Sequence, residues 1–544
     1  MESLSPNARA RCPLAATLSA ALLVTILFIA GPAFAGPCEN LSALKLPGAA
    51  ITSAESVAAG AFTPPGSKTA APMFKNAPAF CRVTAEVKPS KDSDIKMEVW
   101  LPASGWNGKY QTQGNGGFAG MINYGAMAGA VSRGYATAST DTGHAGAAVD
   151  ASWALGHPEK ITDFGYRAVH EMTLKAKEII HAFYGDNAKR SYFASCSNGG
   201  RQGLMEAQRF PEDYDGIIAG APANYFTHLL TAGAWDVQAT QIDPASYIAA
   251  AKIPAVSAAV LKACDAQDGV TDGLINNPQE CRFDPAAMLC KEADSNSCLT
   301  TAQVAALKKL YAGPTNSKGE KIFPGRVPGG EEGTGGWALW VTGAAPGTSL
   351  MFQFTTNFFP NMVFDDPAWN FKTFNFDAGV KTADDKQAVN LNAIDPNLKA
   401  FQARGGKLII YHGWSDAAIS AYNTIDYYDS VMAKMGAPET SQFLRLYMVP
   451  GMQHCGGGPG PNSFGQFGAG PPDPQRNLQL VLEQWVEKGI SPDKIIATKY
   501  VNDLDPAQGV KLTRPLCPYP QIAKYNGSGD ANDAANFACA PEKK

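Results

Sequence analysis

Apolar positions along this chain follow two rhythms that take turns. Residues 96–102 (KMEVWLP), 109–113, 190–195 (RSYFAS) and 216–220 (GIIAG) are short β-rich runs, which predicts strands. Between them, residues 163–184 set Val169, Met172, Ala176, Ile179, Ile180 and Phe183 on one side of a helical period, and 200–210 predict a second helix. Strand and helix alternating in this way predict a mostly parallel sheet flanked by helices.

The rhythm stops between about 225 and 395, a stretch rich in Gly, Pro, Asn and Asp that holds four cysteines. It resumes with a strand at 407–411 (KLIIY), a helix near 420–435, a strand at 444–449 and a helix at 476–488. The simplest organisation is one α/β domain in two parts, 36–224 and 396–544. An insertion at 225–395 would cover the mouth of its site as a lid. The 544 residues allow this, because single cores stop growing at roughly 250–300 residues.

Residues 1–35 carry Arg9 and Arg11, an apolar run from Leu14 to Ala30, and Ala33-Phe34-Ala35 as a small-x-small cleavage site. That is the pattern of a secretory signal peptide, and a retained membrane anchor is the competing reading. No later segment reads as apolar enough to span a bilayer. Export to the periplasm or the medium changes what the cysteines mean. Beyond Cys12 there are ten, an even number that implies disulfides in an exported chain. Zinc fits poorly, since no CxxC pair occurs. Pairing neighbours in order gives Cys38–Cys81, Cys264–Cys281, Cys290–Cys298 and Cys517–Cys539, and leaves Cys196 and Cys455. Sequence alone leaves that connectivity open. A net charge of −4 with no basic stripe argues against nucleic acid as a partner.

The candidate chemistry sits where strand meets helix. Ser197 follows the run SYFAS-Cys and precedes Asn198-Gly199-Gly200, the context of a nucleophile elbow with Ser195 in the first Gly position. A phosphate-binding or helix-capping turn would use the same residue types. If Cys196 and Cys455 pair, their neighbours Ser197 and His454 are held side by side, hydroxyl against imidazole. Asp416, past the strand KLIIY, supplies the carboxylate that orients a general base, and the order Ser197, Asp416, His454 is that of α/β-hydrolases. Asp416 also suits a helix N-cap. His412, beside the same strand, reads as a packed or supporting histidine. An oxyanion hole would take the backbone N–H of Asn198 and of Gly117, with Gly116 as the near alternative, in the turn Gly114–Phe118.

Residues 264–274 place three carboxylates close together. The side chains of Asp265, Asp268 and Asp272 with the carbonyls of Val270 and Leu274 would suit Ca²⁺ in a structural role; a plain Asx-turn loop is the alternative. No organic cofactor is expected.

These motifs are similar to those of the tannase and feruloyl esterase family of α/β-hydrolases. The residues that carry the resemblance are 114–120 (GNGGFAG), 196–200 (CSNGG), 265–274, 411–416 (YHGWSD), 450–457 (PGMQHCGG) and 514–525 (RPLCPYPQIAKY). The resemblance implies the triad Ser197, Asp416 and His454, the bridge Cys196–Cys455 beside it, and the calcium loop. Members of the family cleave feruloyl esters, galloyl esters or mono(2-hydroxyethyl) terephthalate. It therefore implies a small aromatic ester as substrate: hydroxycinnamoyl first, galloyl second, terephthalate monoester third. The terephthalate-monoester enzymes hold the free carboxylate with a lid arginine, and here no Arg occurs between Arg326 and Arg404. Trp340 matches an aromatic of their pocket, and Ile419 stands where they have another. Phe352, with Phe354 and Phe358, would form an apolar wall or simply pack the core. A non-catalytic phenolic- or carbohydrate-binding protein on the same fold is the reading of another class.

Overall fold

The strands read from the sequence all enter one nine-stranded sheet. The computed structural model describes residues 37–541 except Ala70 and Ala469, so the expected signal peptide lies outside the described residues. The strands are β1 (Ala49–Val57), β2 (Phe80–Val87), β3 (Ile95–Pro102), β4 (Lys109–Thr112), β5 (Ala136–Thr140), β6 (Arg190–Cys196), β7 (Gly216–Gly220), β8 (Lys407–Gly413) and β9 (Leu444–Val449). Their order in space is β1-β2-β3-β5-β4-β6-β7-β8-β9. The first three pair antiparallel, β5 is antiparallel to β3, and everything from β5 to β9 is parallel. This is an α/β-hydrolase fold. Every residue of β5 and β7 is buried, which is why β7 reads as a continuous apolar run.

The principal helices are α1 (Ala168–Tyr184), α2 (Asn198–Arg209), α3 (Phe226–Gln241), α4 (Ile253–Cys264), α5 (Thr301–Ala312), α6 (Leu350–Phe358), α7 (Ala378–Leu391), α8 (Ala421–Met435) and α9 (Leu478–Lys488). Helix α1 buries the predicted stripe from Val169 to Phe183. It starts later than expected because Asp163–Arg167 form a wider π-type turn before it. Residues 221–406, between β7 and β8, hold α3 to α7 and add no strand to the sheet among the described residues. The described residues pack as one unit, so this segment is not detached from the sheet.

The most apolar long stretch, Pro244–Asp268, is not one helix. Only α4 within it is continuous α-helix, and 12 residues rise about 18 Å, short of the roughly 30 Å hydrocarbon core of a bilayer. Its Ile253, Val256 and Val260 pack into a buried cluster with Leu307 and Leu310 of α5. All five disulfides form as expected: Cys38–Cys81, Cys196–Cys455, Cys264–Cys281, Cys290–Cys298 and Cys517–Cys539.

Candidate active site

Strand β6 ends at Cys196, and the chain turns into α2 through Ser197, whose φ of 65° and ψ of −128° lie where a non-glycine residue is strained. The surroundings hold it there. Its N–H donates to Gly220 O at 2.9 Å, and its carbonyl accepts from Ala223 N at 3.1 Å. Ser195 takes the place usual for glycine in such a turn, and Gly199 makes room for it. A Cβ on Gly199 would stand 2.0 Å from Ser195 Oγ. Ser197 occupies the N-cap position of α2 but makes no cap hydrogen bond. Its Oγ lies 2.9 Å from His454 Nε2 instead.

His454 sits in the loop after β9, tied to the elbow by the Cys196–Cys455 bridge with Cα atoms 5.9 Å apart. Its Nδ1 lies 2.8 Å from Asp416 Oδ2. Asp416, in the turn after β8, is buried and fully engaged. Oδ1 accepts the N–H groups of Ala418 and Ile419 at 2.8 and 2.9 Å; Oδ2 also meets His412 Nε2 at 3.1 Å. Burial alone would raise this carboxyl. The charge of His454 and the hydrogen bonds from His412 and His454 outweigh it and hold the group well below the usual carboxylate range. Ser420, not Asp416, occupies the N-cap position of α8, and its hydroxyl donates to Gly325 O rather than to the helix. His412 is wholly buried, with Nδ1 2.7 Å from Thr424 Oγ1 and Nε2 3.1 Å from Ile419 O. A hydroxyl, an imidazole and a buried carboxylate linked in this way are equipped for nucleophilic acyl transfer.

The turn opposite the elbow is pinned from three sides. Asn115 N donates to Gln202 Oε1 of α2 at 2.9 Å, Asn115 Nδ2 to Thr140 O of β5 at 2.9 Å, and Phe118 N to Ala148 O at 2.7 Å. Gly117 has φ +57°, and a Cβ there would stand 2.3 Å from Ala148 O, so only glycine fits. Gly116 has open space around it. Asn198 is the first residue of α2, so its N–H has no acceptor within the helix. Both glycines and Asn198 border the same cavity as Ser197 and His454. His144 contributes from behind: its Nε2 lies 2.8 Å from Phe118 O, its ring stacks on Trp153, and burial pushes its pKa down to about 4.

The cavity measures about 440 Å³, and its walls are mostly apolar. Trp340 and Ile419 line it as expected, and Trp340 packs edge-on to the His454 ring with centroids 5.1 Å apart. Phe352 does not line it. Two residues apart on α6, Phe352 and Phe354 point in different directions. Phe354 faces the cavity, whereas Phe352 packs against Phe371 and Phe358 is core beside Phe118 and Phe226. Phe226, Leu229 and Leu230 of α3 form the wall that sequence reasoning missed; their i, i+3, i+4 spacing was the available signal. None of the described residues lining the cavity is Asp, Glu, Lys or Arg. Arg326 is committed elsewhere, donating to Asp236 Oδ2 and to the carbonyls of Ala417 and Ala418. Another buried cation, Arg201, donates to Asn198 Oδ1 at 2.7 Å and lies over the rings of Phe164 and Phe226.

Loop 265–274 stands apart from the cavity. Asp265 accepts from Asp272 N and Gly273 N, Asp268 from Val270 N, and Asp272 from Leu274 N and the Arg514 guanidinium. Of the three carboxylates, Asp272 pairs with the Arg514 guanidinium, and Asp265 and Asp268 are held by backbone N–H groups. Burial, with Asp272 and Asp265 as neighbours, pushes Asp268 up to about 6. Hard oxygen donors with an excess of negative charge fit a divalent cation such as Ca²⁺.

The family described as "Tannase and feruloyl esterase" matches residues 81–540. The chain belongs to this family. An uncharacterized esterase of Xanthomonas campestris pv. campestris is 43% identical over 529 residues, covering 92% of this chain and 91% of that protein. The mono(2-hydroxyethyl) terephthalate hydrolase of Piscinibacter sakaiensis is 35% identical over 547 residues, covering 87% of each. The crystal structure of feruloyl esterase B from Aspergillus oryzae superposes with a TM-score of 0.85 at 31% identity, over 92% of this chain and 99% of that one. As a member of the tannase and feruloyl esterase family, the protein is a carboxylic ester hydrolase.

Proposed function

We propose that the protein is an exported serine esterase of aromatic acids, acting through Ser197, His454 and Asp416. The observation that carries this is the Ser197–His454–Asp416 relay, at 2.9 and 2.8 Å, opening on an apolar cavity. Ser197 Oγ attacks the ester carbonyl while His454 Nε2 takes its proton. The N–H groups of Asn198 and Gly117 receive the oxyanion. His454 then protonates the leaving alcohol, and water, activated by the same ring, releases the acid from the acyl-enzyme. Asp416 holds the ring in the tautomer this requires.

The acyl group is of hydroxycinnamoyl type first and galloyl type second, held between Trp340, Phe354 and Ile419. A terephthalate monoester ranks third, because its free carboxylate finds no cation in the lining. The segment 225–395 serves as lid and specificity element. Ca²⁺ in loop 265–274, on Asp265, Asp268 and Asp272 with the carbonyls of Val270 and Leu274, braces that segment. Five disulfides support export to an oxidising compartment. A comparison of kcat/KM on methyl ferulate, methyl gallate and the terephthalate monoester tests this reading, and preference for the last would refute the ranking.

A further inference from the structure

Away from the cavity, the start of α1 and the far end of α2 bring three ligand-type side chains together. His170 on α1, Glu206 on α2 and Asp213 in the turn before β7 each place one ligating atom within 4.8 Å of the other two. His170 Nδ1 lies 2.7 Å from Asp213 Oδ2. Glu206 is only 1% exposed, and neither of its carboxylate oxygens has a hydrogen-bond partner. Lys177 is spent on the backbone, donating to Asp213 O at 2.6 Å. One edge of the cluster remains open: the His170 side chain is 24% exposed, while Asp213 is 3% exposed.

A carboxylate taken out of water without a donor must be compensated, by a proton or by a cation. A proton on Glu206 engages one of its oxygens and leaves the other bare. A divalent cation engages both carboxylates and the imidazole together. One ring nitrogen with two carboxylates is the mixed donor set of a borderline transition cation; Ca²⁺ and Mg²⁺ favour all-oxygen sites. We propose that His170, Glu206 and Asp213 form a zinc-type cation site that ties α1 to the C-terminal end of α2. The three side chains supply three ligands, and the open edge beside His170 is the access path and the place for a water as the fourth. Glu206 lies nine residues along α2 from Ser197, about 13 Å by helical rise, so the cation braces the nucleophile's helix and does not touch substrate.

The test uses the purified chain, stripped with chelator, returned to Ca²⁺, and titrated with ZnCl₂ or with CoCl₂ as a spectroscopic stand-in. Glu206→Gln keeps the volume and removes the charge; His170→Gln removes the ring nitrogen. The expected result is uptake of one equivalent of Zn²⁺ with a rise in Tm, and a visible Co²⁺ band of low coordination number. In either variant, uptake should weaken at least tenfold and the Tm rise should vanish. Absence of stoichiometric uptake by the unsubstituted chain would overturn the proposal. So would equal uptake by the unsubstituted chain and both variants, which places the cation elsewhere. A chain that takes up no cation and gains stability from Glu206→Gln would assign the buried group a proton.

Discussion

His412 and His454 approach the same oxygen of Asp416, at 3.1 and 2.8 Å. His412 Nε2 faces only acceptors, Asp416 Oδ2 and Ile419 O, so that nitrogen carries a proton. Its contact therefore orients the carboxylate toward His454 as well as helping to keep it ionised. His412 does not border the cavity, so it acts through its neighbours, Asp416 first and the Ile419 carbonyl second. His412→Ala should lower kcat by about 10–100-fold, as a misplaced catalytic group does, with little change in KM. His412→Asn, which keeps a donor, should recover part of the loss. A rise in KM with kcat intact would contradict this role.

The cavity's lack of charge makes specificity adjustable. Leu350, the first residue of α6 in the inserted segment, lines the cavity and is partly exposed. Leu350→Arg would add a guanidinium to a lining that has none, able to pair with a free substrate carboxylate. It should raise kcat/KM on the terephthalate monoester relative to methyl ferulate by about tenfold, a gain of ~1.4 kcal/mol. An unchanged ratio would show that the carboxylate points elsewhere.

The Cys196–Cys455 bridge closes a loop of 259 residues and joins the two segments that carry hydroxyl and imidazole. Replacing both cysteines by serine should cost about 2–4 kcal/mol of stability. It should also lower kcat more than the same change at Cys290 and Cys298, a half-buried bridge over 8 residues. Chemical denaturation and steady-state kinetics on the two double variants make the comparison.

Acid sensitivity should trace in part to His144. Burial lowers its folded pKa to about 4, below the unfolded value of about 6.5. The unfolded chain therefore binds the proton first. Stability is intact above pH 6.5, falls as pH drops from 6.5 towards 4, and loses at most ~3 kcal/mol from this group. His144→Gln should flatten that part of the stability–pH curve. Because His144 holds Phe118 O beside Gly117, the same variant should lower kcat.

Much of the site was legible because chemistry constrained spacing. A serine after a strand, a carboxylate after a later strand and a histidine beside a cysteine each fall at a strand's C-terminal end, where an α/β sheet gathers its functional loops. Four bridges join cysteines in order along the chain, and the two left over, Cys196 and Cys455, join each other. Strands with small or mixed residues were less visible. β1 (AAITSAESV) is a bulged edge strand with no fully buried position, and β5 (ATAST) is buried but scarcely apolar, so neither gives a hydrophobic period. Phe352 was misplaced because aromatic content does not say which face of a short helix turns inward. The shared acceptor at Asp416 depends on two loops closing on each other, which no local pattern records.

Covalent capture of the nucleophile tests the central claim most directly. The folded protein, treated with a fluorophosphonate and digested for mass spectrometry, should carry one adduct, on Ser197. Ser197→Ala, with unchanged circular dichroism, should take up no label and lose ester hydrolysis by at least about 10³-fold. A folded chain that stays unlabelled, or an adduct that persists in Ser197→Ala, would contradict the account.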